Sequence, residues 1–150
     1  MLNGVRRIVR PGGVMAVLGW TSQQLLPGHE MLEARLNANC SPYSPFLDDQ
    51  APSTHFLRAM HWFSQAGFAA ITCTTLVGQV QAPVRPEIRH ALTLLFDMLW
   101  GGSIAQASKP DMEEDLRLCS PSSPDFIVDI PEYYGFFTCT MFTGSVSAVP

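Results

Sequence analysis

The longest uninterrupted apolar stretch near the start of the chain is VMAVLGW, residues 14–20. It is apolar on both sets of alternating positions, which predicts a strand covered on both faces, as in a parallel sheet between helices. The preceding segment, LNGVRRIVR, has apolar residues at helical spacing and predicts a short helix that ends at the Pro-Gly-Gly turn. Because Gly12 and Gly13 precede the strand, they do not form a phosphate loop, whose glycines follow a strand and open a helix.

Further along the chain, the pattern alternates between helical and strand-like segments. FAAITCTTLVGQV and residues 133–143 have the β-branched and aromatic content of strands. Helical spacing predicts a short helix around Met31–Leu36, a helix from an N-cap at Ser53 to Gly67, and the helices PEIRHALTLLFDMLWG and PDMEEDLRLC. The carboxylates of Asp111, Glu113 and Glu114, near the start of the last helix, are expected to form a solvated cap.

These elements predict an α/β fold in a single domain, residues 1–150. We expect about three strands, one of parallel type and two forming an antiparallel pair, with four to five helices. Residues 80–131 are expected to form a helical insertion between the last two strands.

Composition narrows the choice of partners. The 150 residues are 47% hydrophobic and 15% charged, with a net charge of −4. Except for Arg6, Arg7 and Arg10, the basic residues are scattered, so we expect no nucleic-acid partner. No apolar run is long enough to span a bilayer and no signal-peptide core is visible, so we expect no membrane partner and a cytoplasmic location.

The cysteines and histidines do not form a recognisable metal or disulfide motif. Four cysteines at positions 40, 73, 119 and 139 include no CxxC pair, and we expect free, buried thiols and no metal site. Cys73 and Cys139 lie in strand-like runs and are expected to pack as small apolar residues. If the protein needs a general base, His29 or His55 could supply it, although the sequence identifies no catalytic residue.

Three segments together resemble the C-terminal half of a class I S-adenosylmethionine-dependent methyltransferase. They are IVRPGGVMAVLGW, HWFSQAGFAAITCTTLVG and YYGFFTCTMFTG. The resemblance implies a partial Rossmann-like fold in which a Pro-Gly-Gly turn leads to the fifth strand and an Ala-Gly-Phe step leads to the sixth. The seventh strand then returns antiparallel between them.

The resemblance implies S-adenosylmethionine as cofactor and methyl transfer to an unidentified acceptor. The family's first strand and glycine-rich loop, which hold the methionine part, and the acidic residue that binds the ribose have no counterpart here. We therefore expect the chain to correspond to the part from just before the fifth strand onward. No residue is assigned to the cofactor, and the chain alone is expected to be inactive.

The resemblance places a substrate side at the carboxyl end of the first strand, because ligands approach the carboxyl ends of parallel strands in such folds. There Trp20 could form an apolar wall, or simply pack against the following loop. Thr21, Ser22 and Gln23 could supply hydrogen bonds. Tyr43, with Phe46, could form part of a lid in the proline-rich loop, or anchor that loop.

A missing fourth strand would leave one edge of the strand at 14–20 open, which invites self-association or a partner chain. Three functional hypotheses follow. The chain is the C-terminal portion of a methyltransferase, a non-catalytic interaction module derived from one, or an unrelated small α/β binding domain.

Overall fold

The computed structural model describes residues 2–39, 51–102 and 104–147. These residues form a mixed α/β fold with three strands and five α-helices, which confirms the predicted fold class and element numbers at that level. The helices are α1 (Leu2–Arg6), α2 (Glu30–Asn39), α3 (Ala59–Gln65), α4 (Pro86–Phe96) and α5 (Lys109–Cys119). The strands are β1 (Val14–Gln24), β2 (Ala69–Gln81) and β3 (Tyr134–Ser145).

The three strands form one open sheet in the order β1-β3-β2. Both pairings are antiparallel: Val146 donates its N–H to the carbonyl of Gly13 near the start of β1, and the hydroxyls of Thr72 and Thr143 lie 2.7 Å apart. The expectation of a parallel-type strand is therefore wrong. Within the described residues, β1 has β3 as its only sheet neighbour, and β3 runs in the opposite direction.

The prediction that β1 is covered on both faces is also wrong. Val14 and Leu18 are 66% and 60% exposed, whereas Met15 and Val17 are partly buried against the aromatic core. An apolar run satisfies both alternating patterns, so it cannot reveal that one face has no covering layer.

Gly12 and Gly67, which lie between these elements, have left-handed backbone conformations. Gly12 has φ +75°, although α1 already ends at Arg6, so this glycine turns the chain into β1 and does not cap the helix. Gly67, at φ +76°, ends α3 in a Schellman motif. Its N–H bonds to Ser64, and Phe68 N–H bonds to the Phe63 carbonyl while the two rings meet edge to face.

Two helical predictions need correction. The segment from Ser53 to Gly67 consists of two 3₁₀ turns, Pro52–Thr54 and Phe56–Arg58, followed by α3. His55 caps the second turn by accepting a hydrogen bond from Leu57 N–H. The predicted helix after Pro86 is α-helical only to Phe96 and continues as a π-helical turn, Asp97–Gly101.

The chain divides into two compact units, and the division falls within each of the three strands. Unit 1 comprises described residues 2–22, 51–78 and 137–147, and unit 2 comprises 23–39, 79–102 and 104–136. The core of unit 1 contains Leu2, Ala59, Phe63, Ala66, Phe68 and Phe142. The core of unit 2 is built mainly from α2, α4, α5 and the segment before β3, including Leu36, Phe96, Trp100, Leu118, Phe126 and Tyr133.

Candidate functional site

Trp20 lies on one face of the sheet in unit 1 and belongs to an aromatic stack. Its ring is 4.5 Å from the Phe137 ring, at an interplanar angle of 14°. Phe137 in turn covers Gly78, where an added Cβ would collide with the ring. The sequence predicts that the strand ends at Trp20, but β1 continues to Gln24, so this tryptophan packs within the sheet.

Thr21 lies on the opposite face, because successive residues of a strand alternate. Its Oγ1 is 3.0 Å from Oγ1 of Thr138 and 3.0 Å from Oγ1 of Thr140. Oγ1 of Thr75 lies 3.1 Å from Thr140, so four hydroxyls form one network on three strands. Thr140 is only 3% exposed, and the network satisfies its polar group within the sheet.

Ser22 and Gln23, which were also predicted to bind substrate, form hydrogen bonds with different partners. Ser22 is exposed, and its carbonyl accepts a hydrogen bond from Thr138 at 3.5 Å. In unit 2, Gln23 donates to Oδ1 of Asn37 at 3.2 Å. Trp20 and Thr21 do not line one pocket, and Tyr43 and Phe46 lie outside the described residues.

A buried carboxylate that the sequence analysis missed follows β1 in unit 2. Glu33, on α2, is 3% exposed, and its carboxylate accepts hydrogen bonds from the backbone N–H groups of Leu25 and Leu26 at 2.9–3.0 Å. Burial raises the pKa of Glu33, while the bonds from Leu26 and Leu25 oppose that shift. These hydrogen bonds fix the backbone at Leu25 and Leu26, directly after the end of β1.

Three further titratable groups of unit 2 are shielded from solvent. Cys119 and Asp115, both on α5, are half-buried and lie close enough to affect each other's pKa, and the buried Tyr133 donates to the Leu25 carbonyl at 3.2 Å. Burial raises the pKa of the thiol, of the tyrosine hydroxyl and of the Asp115 carboxyl. Cys119 is therefore held as a thiol, not as the thiolate that nucleophilic chemistry requires.

Three carboxylates were predicted to form a solvated cap at the start of α5, and this prediction is wrong for Asp111. Asp111 is 9% exposed and accepts two hydrogen bonds from Arg35 Nε and one from Nη2, the shortest at 2.7 Å. Bonding to Arg35, and to Ser108, lowers the pKa of Asp111. A sequence pattern cannot identify this partner, because Arg35 lies on α2.

Both histidines considered as bases already have contacts. His29 Nδ1 lies 3.0 Å from Oε1 of Glu114, and Nδ1 of His55 is the acceptor that caps a 3₁₀ turn. The described cysteines are free, but the expectation that they are buried is wrong: Cys73 is exposed, and Cys119 and Cys139 are partly exposed. No group of three or more potential metal ligands converges in the described part of the chain.

The sheet face of unit 1 that carries Trp20 has several exposed apolar side chains. We call this the apolar sheet face. Val14, Leu18 and Leu76 on it are 66%, 60% and 52% exposed. It also includes Ala16, Thr72, Thr74, Gly78, Phe137, Cys139, Met141 and Thr143, and none of its residues carries a charge.

A shallow groove in unit 2 lies where β2 meets the start of α4. It has a volume of about 240 Å³ and is lined by Gln79, Gln81, Pro83, Arg85 and neighbouring residues. Pockets that enclose small molecules usually occupy about 300–1,000 Å³, so this groove is small for a substrate. In the described segments, no helix has the length and apolar character needed to cross a bilayer.

Comparison of the sequence with protein-family models and with curated proteins found no match. The assignment of function therefore depends on the geometry described above and on the resemblance of the three sequence segments.

Proposed function

We propose that this chain is the C-terminal portion of a class I S-adenosylmethionine-dependent methyltransferase. The observation that carries the proposal is the strand order, in which β3 lies between β1 and β2 and is antiparallel to both. It follows that β1 and β2 point in the same direction without being neighbours. This is the arrangement that the resemblance implies for the fifth, seventh and sixth strands.

The connections before the two outer strands support the same proposal. The Pro-Gly-Gly turn places Gly12 in the left-handed region directly before β1. The Ala66-Gly67-Phe68 step forms the Schellman motif between α3 and β2. Both local sequences that prompted the resemblance thus occur at the strand entries where the family has them.

The described residues do not fit a site for S-adenosylmethionine. A nucleoside cofactor needs a glycine-rich loop after a strand, with backbone N–H groups or a carboxylate directed at its polar groups. Here Gly12 and Gly13 precede β1, and the Glu33 carboxylate is already bonded to Leu25 and Leu26. We assign no residue of this chain to the cofactor and derive no catalytic step through it.

In this proposal, the chain contributes to the acceptor side of the site. Methyl transfer depends mainly on aligning acceptor and donor in a dry pocket. The stacked rings of Trp20 and Phe137 would supply a rigid apolar wall, and the Ser22 hydroxyl, which is exposed on the same face, a hydrogen-bonding group. The proposal does not specify the chemical class of the methyl acceptor.

A non-catalytic interaction module is the second candidate, and the apolar sheet face favours it. Burying an exposed Val or Leu side chain contributes about 1.5–3 kcal/mol, and Val14, Leu18 and Leu76 are all more than half exposed. In addition, β1 is at the edge of the sheet, where unpaired backbone groups can accept another strand.

The two candidates can be separated by labelling with the cofactor. The tagged chain is purified from its own cells, with any polypeptide to which it is joined or bound, and is irradiated with tritiated S-adenosylmethionine. A methyltransferase predicts covalent label on a polypeptide that contains or accompanies the chain. A complex that forms without taking up label would favour the interaction module and contradict the enzyme.

A matched pair of variants tests the role of the sheet face. Leu18→Lys places a charge on the apolar sheet face and is expected to abolish association with the partner polypeptide. Leu94→Lys changes a similarly exposed leucine of α4, 56% exposed, and is expected to leave it intact. Micromolar binding of S-adenosylmethionine to the isolated chain in calorimetry would contradict the statement that the chain lacks the cofactor site.

A further inference from the structure

Charge is distributed unequally between the two units. The described residues of unit 1 include four arginines and no Asp or Glu, whereas those of unit 2 include five Lys or Arg and eleven Asp or Glu. The chain's net charge of −4 therefore does not reflect the described part of unit 1, which is basic. A surface with this composition attracts anions, because the described residues of unit 1 include no carboxylate side chain that could neutralise the arginines.

Three of the four arginines surround one exposed isoleucine. Arg6 and Arg7 precede Ile8 at the end of α1, and Arg10 follows it; all three are exposed. Ile8 is 82% exposed and is the most exposed large apolar side chain described. At the start of α1, Leu2 is buried in the core of unit 1 and holds this helix against it.

The fourth arginine, Arg58, also has exposed apolar neighbours in the chain. Arg58 follows Leu57 and precedes Met60, which are 53% and 46% exposed, and exposed His61 comes next. These side chains lie on the solvent-facing side of α3 and of the turn before it, because Ala59 and Phe63 face the core. The guanidinium of Arg6 lies beside Gly67 at the other end of α3.

None of these four arginines forms an ion pair with a carboxylate in the described segments. By contrast, Arg35, Arg89 and Arg117 in unit 2 all do. We define the basic–aliphatic surface as Arg6, Arg7, Ile8 and Arg10, at the end of α1. Its arginines are available to an external anion.

We propose that the basic–aliphatic surface binds an anionic phospholipid bilayer, with Ile8 inserted among the acyl chains and the arginines bound to lipid phosphates. Basic side chains interleaved with exposed aliphatic ones are typical of interfacial membrane contacts. Single-stranded nucleic acid would instead require exposed aromatic rings for base stacking. This contact needs no membrane-spanning segment and is independent of the proposed methyltransferase function.

The shape of the surface favours a lipid over an acidic polypeptide. A stable protein interface needs a contiguous, complementary area of about 800 Å² on each partner. Ile8, in contrast, projects from a turn between two arginines, and a fluid bilayer accepts such a side chain without a matching pocket. The arginine guanidinium also suits phosphate oxygens, which it can bind with two parallel hydrogen bonds.

The test measures cosedimentation of the full chain with large vesicles. We expect binding to vesicles of mixed phosphatidylserine and phosphatidylcholine at low salt, weaker binding at high salt, and little binding to phosphatidylcholine alone. Arg7→Gln should weaken binding about fivefold, since each basic residue near an anionic surface contributes on that order. Ile8→Ser should weaken it about tenfold or more through lost apolar insertion.

Matched variants in unit 2 locate the contact. Arg85→Gln and Met98→Ser alter an exposed arginine and a 54% exposed methionine and should leave binding unchanged, with circular dichroism verifying the fold of every variant. Absence of binding at low salt, equal binding to uncharged vesicles, or equal losses in the unit 2 variants would overturn the proposal. So would polyglutamate binding that matches vesicle binding and is insensitive to Ile8→Ser, since that outcome identifies an acidic polypeptide as the ligand.

Discussion

Gly144 on β3 is the position where one added methyl group should have the clearest effect on the core of unit 1. A Cβ at this position would lie 2.6 Å from Cδ1 of Phe63 and 2.9 Å from Cβ of Phe68. Carbon atoms in contact prefer a separation of about 3.5–4.0 Å. Gly144→Ala therefore requires α3 or the Phe63 ring to move by roughly 1 Å, judged against that spacing.

The surroundings leave little room for this movement. Phe63 is 0% exposed, and its ring is packed edge to face against Phe68, with centroids 5.2 Å apart. Overpacking a filled core costs about 1–3 kcal/mol. For a chain of this size, each 1 kcal/mol lowers the melting temperature by roughly 2–4 °C.

Urea unfolding followed by circular dichroism measures the effect directly. Gly4→Ala is the matched control, because no atom lies within 4 Å of the added methyl group and alanine is preferred to glycine in a helix by about 0.5–1 kcal/mol. Gly144→Ala should lower the free energy of unfolding while Gly4→Ala leaves it unchanged or raises it. If Gly144→Ala unfolds within about 0.5 kcal/mol of the parent chain, the range of an ordinary surface substitution, the described packing of α3 on β3 is refuted.

Three further outcomes are expected in unit 2 and at the cysteines. The raised pKa of Glu33 means that its contribution to stability is fully present below pH 4.5 and is lost as the pH rises through the folded-state pKa. The stability advantage of the parent chain over Glu33→Gln should therefore increase from pH 7 to pH 5 in urea titrations, and a decrease would contradict the assigned direction. Tyr133→Phe removes the hydrogen bond to the Leu25 carbonyl and should cost about 1–2 kcal/mol in the same assay; an unchanged midpoint would show that the bond contributes nothing. In thiol titration with a disulfide reagent, Cys73→Ser should remove a rapidly reacting group, because Cys73 is exposed. Cys119→Ser should leave the fast phase intact, because Cys119 is only partly exposed and desolvation raises its pKa; loss of the fast phase in the second variant would reverse the assignment.

The parts of the fold that local sequence determines were predicted well. The strand content of β2 and β3 follows from their β-branched and aromatic residues. The turn into β1 at Gly12 and the end of α3 before Gly67 follow from the steric freedom of glycine at turns. In each case the cause lies within a few residues of the effect.

Features that depend on distant residues were missed or assigned incorrectly. The solvation of Asp111 depends on Arg35, which lies 76 positions earlier in the chain. The exposed face of β1 depends on which layers cover the sheet, and the burial of Glu33 depends on the path of the backbone after β1. The threonine network had a local signal, since TCTT and TCTMFT repeat hydroxyl residues within strands, but its strand register was needed to interpret that signal.

The order of the strands has a consequence for synthesis on the ribosome. Both outer strands precede the central one in the chain, so neither can complete its native ladder until residues 134–145 have emerged. Nascent chains that end before Tyr134 therefore present two unsatisfied strands to the surrounding solution, a condition that promotes aggregation. Chaperone occupancy should therefore fall abruptly once release of the chain allows β3 to pair with both outer strands.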